Sequence, residues 1–392
     1  YEYLDGGAWH FDDNELVKAK YRSYGQWRGY GRVITRTGAG LDARTRSESR
    51  YFRGMDNDPL PNGARRPASV TLSADVAVPG AATSVTDAAE LTGLVRETVS
   101  YDGDGPVVSA AVSDYWVGPV LASRSRDGLD PVTARLVRTV GTRTTSAIPS
   151  SGPAAWLTTR TETSFQPSTG LEAARVETGD ITRPEQARCT VTGYAQPNTT
   201  VNLVNLVTQV ETYALPCSGS GVNGLRAPTS ATLADLVAQN RTFYDTPTFD
   251  PSWPQPAAPT VGDVSMTQRA SDTDGQLSFL TTATSGFDRY GRATASTDGN
   301  GWTSTTAYTE VNGLTTRTVE TNPLGHTATT TLDPTRGLSV TSTDANARTT
   351  TLGYDALGRL TSVWRPGQAT TGAPDLRFGY QVSQTQPSTA TT

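Results

Sequence analysis

At residues 354–361 the chain reads YDALGRLT. An aspartate in a tight turn accepts backbone hydrogen bonds, and a glycine adopts the positive φ that a Cβ would disfavour. The run that follows, LTSVW at 360–364, contains the β-branched and aromatic residues that favour strands. The stretch therefore predicts two strands joined by a turn, with Asp355 as its acceptor and Gly358 at the positive φ.

Three earlier stretches align with this one on their glycines, and a second polar turn lies between successive units, at 298–301, 322–325 and 344–347. Threonine-rich runs follow each turn. A single hairpin cannot bury its own face, so repeated hairpins are expected to share one continuous sheet that curls because strands twist. The positions predicted to form the repeat are Phe287, Asp288, Gly291, Arg292, Gly313, Asp333, Gly337, Tyr354, Asp355, Gly358 and Arg359.

The composition agrees with an all-β chain. Hydrophobic residues are 35% and charged residues 18% of the 392, while 37 glycines and 24 prolines supply turns. Seven tryptophans and 15 tyrosines argue against disorder. A net charge of −5 argues against a nucleic-acid partner, and no apolar run is long enough to predict a transmembrane helix.

The pattern divides the chain into four predicted segments. These are an aromatic-rich β region (1–100), a diverged repeat-like β region (101–246), a proline-rich connection (247–262) and the repeats (263–392). One short helix is expected near 230–240, where leucines and a valine have helical spacing. Asp87 to Glu90 has capping-box spacing, which predicts a single helical turn. The first residue is not methionine and the last residues form a weak polar tail, so we expect a fragment of a longer protein.

The stretch at 354–361 resembles the YD repeat of Rhs proteins, which include bacterial polymorphic toxins, the shell-forming components of insecticidal toxin complexes, and teneurins. Residues 287–292 are a near match, and the units at Gly313 and Gly337 are degraded. The stretch 165–171 looks like a more diverged unit. The resemblance implies a long antiparallel strip of hairpins that curls into part of a hollow shell.

In this family the shell encloses a C-terminal toxin or other cargo. The resemblance therefore implies a secreted or cell-surface wall segment whose partners are the remainder of its own chain: further repeats, a closing core and the cargo. The family's self-cleaving core carries an Asp-Pro-x-Gly motif. Residues 333–337 have one residue too many for that spacing, so they are interpreted as a repeat turn. The alternatives are an adhesin or cell-wall-associated protein that binds glycans through exposed aromatic residues, and a glycosidase-like enzyme.

The sequence offers little for catalysis, so we expect no enzyme, cofactor or metal site. The two histidines, His10 and His326, are far apart and are interpreted as structural. The turns at 102–105 and 272–275 contain the start of a calcium loop but lack its final glutamate. Carboxylates that could pair for glycoside chemistry are Glu48, Asp56 and Asp58. Arginines that could stack on rings or face an acidic cargo are Arg28, Arg32, Arg36 and Arg50, and the alternative interpretation, which we favour, is that they lie on solvated strand faces.

Two cysteines, Cys189 and Cys217, are too few for a four-cysteine zinc site. They lie in segments that predict neighbouring strands, so they either form a disulfide or remain two buried thiols. A disulfide here would stabilise the fold by about 3.5 kcal/mol in the chain-entropy description. It would also imply an oxidising compartment.

Overall fold

A computed structural model describes residues 1–40, 42–60, 62–149, 155–246, 252–273, 275–382 and 389–391. This part of the chain contains 27 strands and four single turns of 3-10 helix. Twenty-one of the strands form one antiparallel sheet. The predicted all-β hairpin strip is therefore confirmed.

The chain divides into two compact units, the first made of residues 1–194 and 209–239. Its sheet strands pair in the order β1–β2–β3–β6–β7–β10–β11–β12–β13, and two small hairpins, β4–β5 and β8–β9, lie outside that sheet. The strands are β1 (Glu2–His10), β2 (Gln26–Thr37), β3 (Thr45–Tyr51), β4 (Ser69–Thr71), β5 (Ser84–Thr86), β6 (Val95–Asp102), β7 (Val107–Val117), β8 (Ala122–Arg126), β9 (Leu129–Ala134), β10 (Val137–Ile148), β11 (Ala155–Phe165), β12 (Glu172–Thr178) and β13 (Arg188–Tyr194).

The second unit comprises residues 195–208 and 240–392. From β15 to β25 each strand pairs with the next along the chain, as in a row of hairpins. The remaining strands are β14 (Val207–Tyr213), β15 (Leu236–Tyr244), β16 (Val264–Thr273), β17 (Gln276–Phe287), β18 (Ala293–Asp298), β19 (Thr303–Val311), β20 (Leu314–Thr321), β21 (Thr327–Asp333), β22 (Leu338–Thr343), β23 (Thr349–Tyr354), β24 (Leu360–Trp364), β25 (Leu376–Arg377), β26 (Gly379–Gln381) and β27 (Thr389–Thr391). The boundary between the units falls within β14 and β15.

The first unit has a hydrophobic core on one face of its sheet. Because side chains alternate along a strand, Val99 and Tyr101 of β6 point to the same side as Ala110 and Val112 of β7. Val78, from the segment between β4 and β5, packs against these four residues. A second cluster is formed by Phe52, Val70 and Leu91. The segment from 70 to 91 thus covers part of the sheet.

The repeat part of the second unit lacks such a cover. No residue of the fully described stretch 275–382 is buried; every side chain there is half-buried or exposed. The buried apolar residues of this unit, Phe243, Tyr244 and Met266, precede that stretch. The repeats therefore form a single layer of sheet with two open faces.

One of these faces is rich in threonine. Strand pairing places Thr297 opposite Thr303 and Thr343 opposite Thr349, and both pairs of hydroxyls are 2.8 Å apart. Cross-strand threonine pairs stabilise a sheet through hydroxyl contacts and branched packing. A wide sheet can therefore stay hydrated on this face without charged side chains.

The helix predicted near 230–240 is wrong. Only Leu233–Asp235 forms a turn of 3-10 helix, and β15 begins at Leu236. The turn is capped by Thr232 and Asp235. The helical spacing does not produce a helix because the chain is extended from Leu236 onward and continues into residues 240–244, which pair with β16. Val237 is 52% exposed and does not pack on a core.

The helical turn predicted at 87–90 is present as Ala89–Leu91, but Asp87 does not cap it. The Asp87 carboxylate instead accepts hydrogen bonds from the backbone N–H groups of Arg53, Gly54 and Met55, at 2.7, 2.8 and 3.2 Å. Its side chain thus binds a different segment of the chain from the one that its local spacing indicates.

Some predictions fall outside the described residues. These are the start of the proline-rich connection (247–251), Asp274 of the second calcium-like turn, and most of the polar tail. The four-segment division made from the sequence stays a prediction. Among the described residues, no helix has the length and apolar character needed to cross a membrane.

Candidate functional site

Five turns of the repeat region share one construction, here called the repeat turn. In each, the first residue's N–H donates to the carbonyl of the fifth, and the fourth residue's N–H donates to the carbonyl of the first. The fourth residue always has a positive φ, from 59° to 84°. The first residues of the five turns are Asp288, Asp298, Asn322, Asp344 and Asp355.

The side chain of the first residue completes the repeat turn. In the turn at Asp355, Oδ1 accepts hydrogen bonds from the N–H groups of Leu357 at 2.9 Å and Arg359 at 3.0 Å. The same two bonds form at Asp288, from Tyr290 and Arg292. A short Asx side chain is required because it must reach backbone groups two and four residues ahead.

The degraded units have different turns. Asn312 and Gly313 both have positive φ and form the two-residue connection between Val311 and Leu314, as in a type I′ hairpin. The turn at Asp333 is one residue longer than the repeat turn, and the Gly337 N–H donates to the Asp333 carbonyl at 2.8 Å. The stretch 165–171 is built like the latter, with Gly170 donating to the carbonyl of Gln166.

In two of the repeat turns, an arginine connects the turn to the hairpin that follows. The Arg359 Nε donates to Asp355 Oδ2 at 2.7 Å, and its guanidinium lies 4.6 Å from the centre of the Tyr380 ring. The Tyr380 hydroxyl then donates to the carbonyl of Leu360 at 2.8 Å. We call this Asp–Arg–Tyr arrangement the clamp. It explains why an aspartate and an arginine occur four residues apart in the motif.

The clamp also forms at the first repeat. The Arg292 Nε donates to Asp288 Oδ2 at 2.7 Å, and its guanidinium lies 4.3 Å from the centre of the Tyr308 ring. The Tyr308 hydroxyl donates to the carbonyl of Ala293 at 3.1 Å. Here Glu310 adds an ion pair at 2.6 Å. Cation–π contact and hydrogen bonding therefore connect the turn to the next hairpin, in addition to the hydrogen bonds between paired strands.

Tyr354, the first residue of the motif, contacts the preceding hairpin. Its hydroxyl donates to the carbonyl of Ser339 at 2.9 Å. An irregularity in strand pairing between Gly353 and Tyr354 re-aims the side chain, and the same irregularity occurs between Gly286 and Phe287. Phe287 lacks the hydroxyl and cannot make this bond. Tyr354 thus links its hairpin backwards, while the clamp links the hairpins at Asp288 and Asp355 forwards.

Hydrogen bonds lower the pKa of three turn aspartates, Asp288, Asp333 and Asp355. At Asp355 the main cause is the hydrogen bond from the Arg359 backbone. At Asp333 it is the hydrogen bond from the Thr335 hydroxyl. At Asp288, desolvation raises the pKa, but hydrogen bonds from Arg292 and Tyr290 outweigh it. The ionised carboxylate is therefore the form that the turns favour.

The histidines and the calcium-like turn considered in the sequence analysis have structural roles. His10 Nε2 lies 3.6 Å from the buried carboxylate of Asp58, which also accepts a hydrogen bond from the Phe11 N–H. His326 is the fifth residue of a repeat turn and donates its backbone N–H to Asn322. Residues 102–105 form a simple turn. No group of three or more potential metal-ligating side chains occurs within the described ranges.

The carboxylates considered for glycoside chemistry are tied to other groups. Glu48 is buried and forms ion pairs with Arg32, Arg46 and Arg50, the closest at 2.8 Å. Asp56 accepts a hydrogen bond from the backbone of Ala68. Of the other arginines, Arg36 pairs with Glu2, while Arg28 donates to the Thr92 hydroxyl and the Gln26 amide.

The two cysteines lie together. Cys189 and Cys217 form a disulfide, with Cys189 on β13 and Cys217 in the loop after β14. Both residues belong to the first unit. The bond therefore fastens this loop to the sheet.

Comparisons with known proteins agree with this geometry. The family model described as RHS Repeat matches residues 335–370. That stretch includes the repeat turns at Asp344 and Asp355. The chain contains an RHS repeat. No curated protein matches the sequence.

Solved structures of toxin complexes resemble the fold. The crystal structure of TcdB2-TccC3-Cdc42 has a TM-score of 0.60 and 13% identity over 87% of this chain, and TcdB2-TccC3 without its hypervariable C-terminal region has 0.59 and 12% over 91%. The Photorhabdus luminescens Tc holotoxin pore with a substituted TccC3 has 0.56 and 12% over 87%. This chain spans about a fifth of the length of those chains, 20% to 21%. At an identity of 12% to 13%, these structures show that the fold is similar and nothing more.

In four of the five repeat turns the fourth residue is glycine, and in the turn at Asp344 it is Ala347. Its φ is 59°, where a Cβ is strained. We expect Ala347→Gly to raise the free energy of unfolding by about 0.5–1 kcal/mol, since relief of strain exceeds the added entropy of the unfolded chain. Urea denaturation measures it. The reverse change is Gly325→Ala, where the new Cβ meets open space. It should lower the free energy of unfolding by a similar amount. An unchanged urea midpoint in both variants would contradict the shared turn.

Gly358 should tolerate a branched side chain poorly. Its φ is 77°, and a Cβ would lie 3.3 Å from Leu338 Cδ1. We expect Gly358→Val to destabilise this hairpin by roughly 1–3 kcal/mol. Thermal unfolding and hydrogen exchange at 354–361 measure it. A variant as stable as the wild type would show that the turn is misassigned.

The low pKa values of the turn aspartates predict a loss of stability in acid. A lowered pKa contributes stability that is fully present above the unfolded-state value of about 3.9 and is lost as pH falls through the folded-state value. We expect urea midpoints to fall between about pH 5 and about pH 2. Asp355→Asn keeps the Oδ1 acceptor, as Asn322 does naturally, and should weaken this dependence; an equally steep loss would assign it to other groups.

Proposed function

We propose that the chain is part of the wall of a hollow β-sheet shell. Its role is structural and non-enzymatic: the wall encloses a C-terminal toxin or other cargo of the same polypeptide and helps to deliver it. The observation that carries this proposal is the single-layer sheet at 275–382, which contains no buried residue. A sheet with two open faces suits a partition that has one compartment on each side.

The repeat turn and the clamp support the proposal. The hairpin at Asp355 is fixed to the previous one by the Tyr354 hydroxyl and to the next by the Arg359–Tyr380 contact. The hairpin at Asp288 has the corresponding Arg292–Tyr308 contact. Such a strip can be extended by adding hairpins, without a central core that limits its width. The likeness to toxin-complex structures favours the same architecture. The partners are then the remainder of the chain: further repeats, a closing core and the cargo.

A secreted or cell-surface location accompanies this proposal. The disulfide between Cys189 and Cys217 forms readily only in an oxidising compartment. We propose that the protein is of the polymorphic-toxin type of Rhs protein, a proposal that the repeat and the fold support.

Protease protection of the complete natural polypeptide tests encapsulation. We expect the segment C-terminal to the repeats to resist a non-specific protease while the wall is folded, and to be digested once urea unfolds the wall. The same segment produced alone is the control. Digestion at equal rates in the intact protein and in the isolated segment would overturn the proposal.

A surface of exposed aromatic rings favours glycan binding as a second candidate. Tyr3, Trp9 and Trp27 are 54%, 48% and 47% exposed. Ring centres are 4.8 Å apart for Tyr3 and Tyr30, 5.3 Å for Tyr30 and Trp27, and 4.9 Å for Trp27 and Trp9. Contiguous exposed rings can stack on sugar faces, as in an adhesin or a cell-wall-associated protein.

Tryptophan fluorescence with soluble oligosaccharides tests this alternative. Saturable quenching that Trp27→Ala abolishes would favour the glycan-binding role. Trp302→Ala, a change at a tryptophan 54% exposed in the second unit, is the matched control. Unchanged fluorescence with neutral and acidic oligosaccharides would remove the candidate.

A further inference from the structure

The loop between β14 and β15, residues 214–235, folds against the sheet of the first unit. The Phe165 N–H donates to the carbonyl of Val222 at 2.7 Å, and the Ser164 hydroxyl donates to the carbonyl of Leu225 at 3.2 Å. Leu225 is only 7% exposed, and Ser164 is fully buried. The disulfide between Cys189 and Cys217 is the covalent fastening of this loop.

The two cysteine residues differ in their exposure to solvent. Cys189 is 0% exposed, whereas Cys217 is half-buried. A thiolate must approach one sulfur along the axis of the S–S bond, so access decides which sulfur is attacked. In the folded chain only Cys217 offers a solvent-exposed part.

We propose that Cys217 is a thiol–disulfide exchange site for small thiols and dithiols, and that exchange there unfastens the loop. A thiolate attacks the Cys217 sulfur, forming a mixed disulfide and breaking the bond to Cys189, which leaves as a thiolate and takes a proton from water. A second thiolate attacks the added sulfur and releases the Cys217 thiol. Two thiols are thus oxidised to one disulfide while the protein disulfide is reduced.

In the reduced state, a backbone carbonyl could accept a hydrogen bond from each thiol. Cys189 Sγ lies 3.7 Å from the carbonyl oxygen of Arg226, and Cys217 Sγ lies 3.3 Å from that of Arg175. Each new S–H group therefore has an acceptor nearby, so reduction leaves no buried donor without a partner. The loop is then held by the hydrogen bonds to Val222 and Leu225 and by the burial of Leu225, without a covalent bond, and it should open more often. This inference concerns the chemistry of the loop and does not depend on the shell function.

Adduct mapping of the intact wild-type chain tests the site of attack. The folded protein is treated with glutathione, quenched with acid, and its free thiols are alkylated after unfolding. We expect the glutathione adduct on Cys217 and the alkyl group on Cys189. An adduct mainly on Cys189, or no reduction until urea unfolds the chain, would overturn the proposal.

Single-cysteine variants give a second measurement. Cys189→Ser leaves Cys217, and Cys217→Ser leaves Cys189; circular dichroism checks that both retain the sheet. We expect N-ethylmaleimide to label Cys217 at least about tenfold faster than Cys189 under native conditions. Equal labelling rates in two folded variants would show that access does not discriminate between the sulfurs.

Limited proteolysis measures whether the loop is released. In wild-type protein we expect dithiothreitol to raise the cleavage rate within 214–235 by about tenfold. The double variant Cys189→Ser/Cys217→Ser should be cleaved at the faster rate with or without reductant. Cleavage of the wild type at the same rate in both buffers would show that the disulfide does not control the loop.

Discussion

Asp87→Ala is expected to lower the free energy of unfolding by about 3 kcal/mol, because it leaves buried N–H donors without partners. The carboxylate is 1% exposed and accepts the backbone N–H groups of Arg53, Gly54 and Met55. Gly54 and Met55 are themselves buried, so water cannot replace the lost acceptors without opening the segment. Urea denaturation with circular dichroism detection measures the loss.

Two further variants separate the acceptor from the charge. Oδ1 of Asp87 accepts from Arg53 and Gly54, and Oδ2 accepts from Met55. Asp87→Asn keeps the first two bonds and turns an NH₂ group toward Met55, so it should lose about half as much stability. Asp56→Ala is the matched control, since Asp56 is half-buried and accepts one backbone bond, from Ala68. Equal losses for Asp87→Ala and Asp56→Ala would contradict this account.

The repeat could be predicted because its turns depend on residues close together in sequence. The bonds of the turn at Asp355 all join residues at most four apart, so spacing alone places the aspartate and the glycine. Ala347 shows the limit of that method. The sequence predicts a polar turn at 344–347, but it does not show that Ala347 has the same positive φ as the glycines or that the turn has the same hydrogen bonds as the turn at Asp355.

The failures involve partners distant in sequence. Asp87 and Glu90 have the spacing of a capping box, but Asp87 binds backbone groups more than 30 residues away. Likewise, the apolar spacing at 233–237 suggests a helix, but the chain enters β15 at Leu236, and residues 240–244 of that strand pair with β16. The clamp was missed for the same reason, because Tyr380 is 21 residues after Arg359 and their contact depends on the register of the hairpins.

A row of buried charges in the first unit was also missed from the sequence. Arg50 lies opposite Glu97 in the pairing of β3 with β6, and their side chains form an ion pair at 3.2 Å. Burial raises the pKa of Glu97, while the backbone N–H of Ser73 and the charge of Arg50 oppose that effect. Charged residues on predicted strands suggested solvated faces. The cover supplied by the segment after β4 buries them instead.

Arg96 ties that cover to the sheet, and we expect Arg96→Met to cost about 3 kcal/mol of stability. The side chain is 1% exposed. Its guanidinium donates to the carbonyls of Ala82 at 2.9 Å and Ser113 at 2.7 Å, and it pairs with Asp114. Methionine fills similar volume but leaves both carbonyls without this donor. Asp114 keeps Arg143 as a partner, so the loss should be smaller than for a fully isolated buried charge.

An exposed arginine provides the control for this last prediction. Arg124 is 65% exposed and pairs with Glu15 at 2.8 Å, so Arg124→Met should leave the free energy of unfolding almost unchanged. Arg96 is buried because an extra residue in β6 shifts the register between Arg50 and Tyr51, which lets Arg96 and Glu97 both leave the solvent although they are adjacent. Hydrogen exchange should therefore show faster opening of residues 72–87 in Arg96→Met. Equal losses in the two variants would mean that Arg96 contributes no more than a surface ion pair, and that the cover is held by its apolar contacts alone.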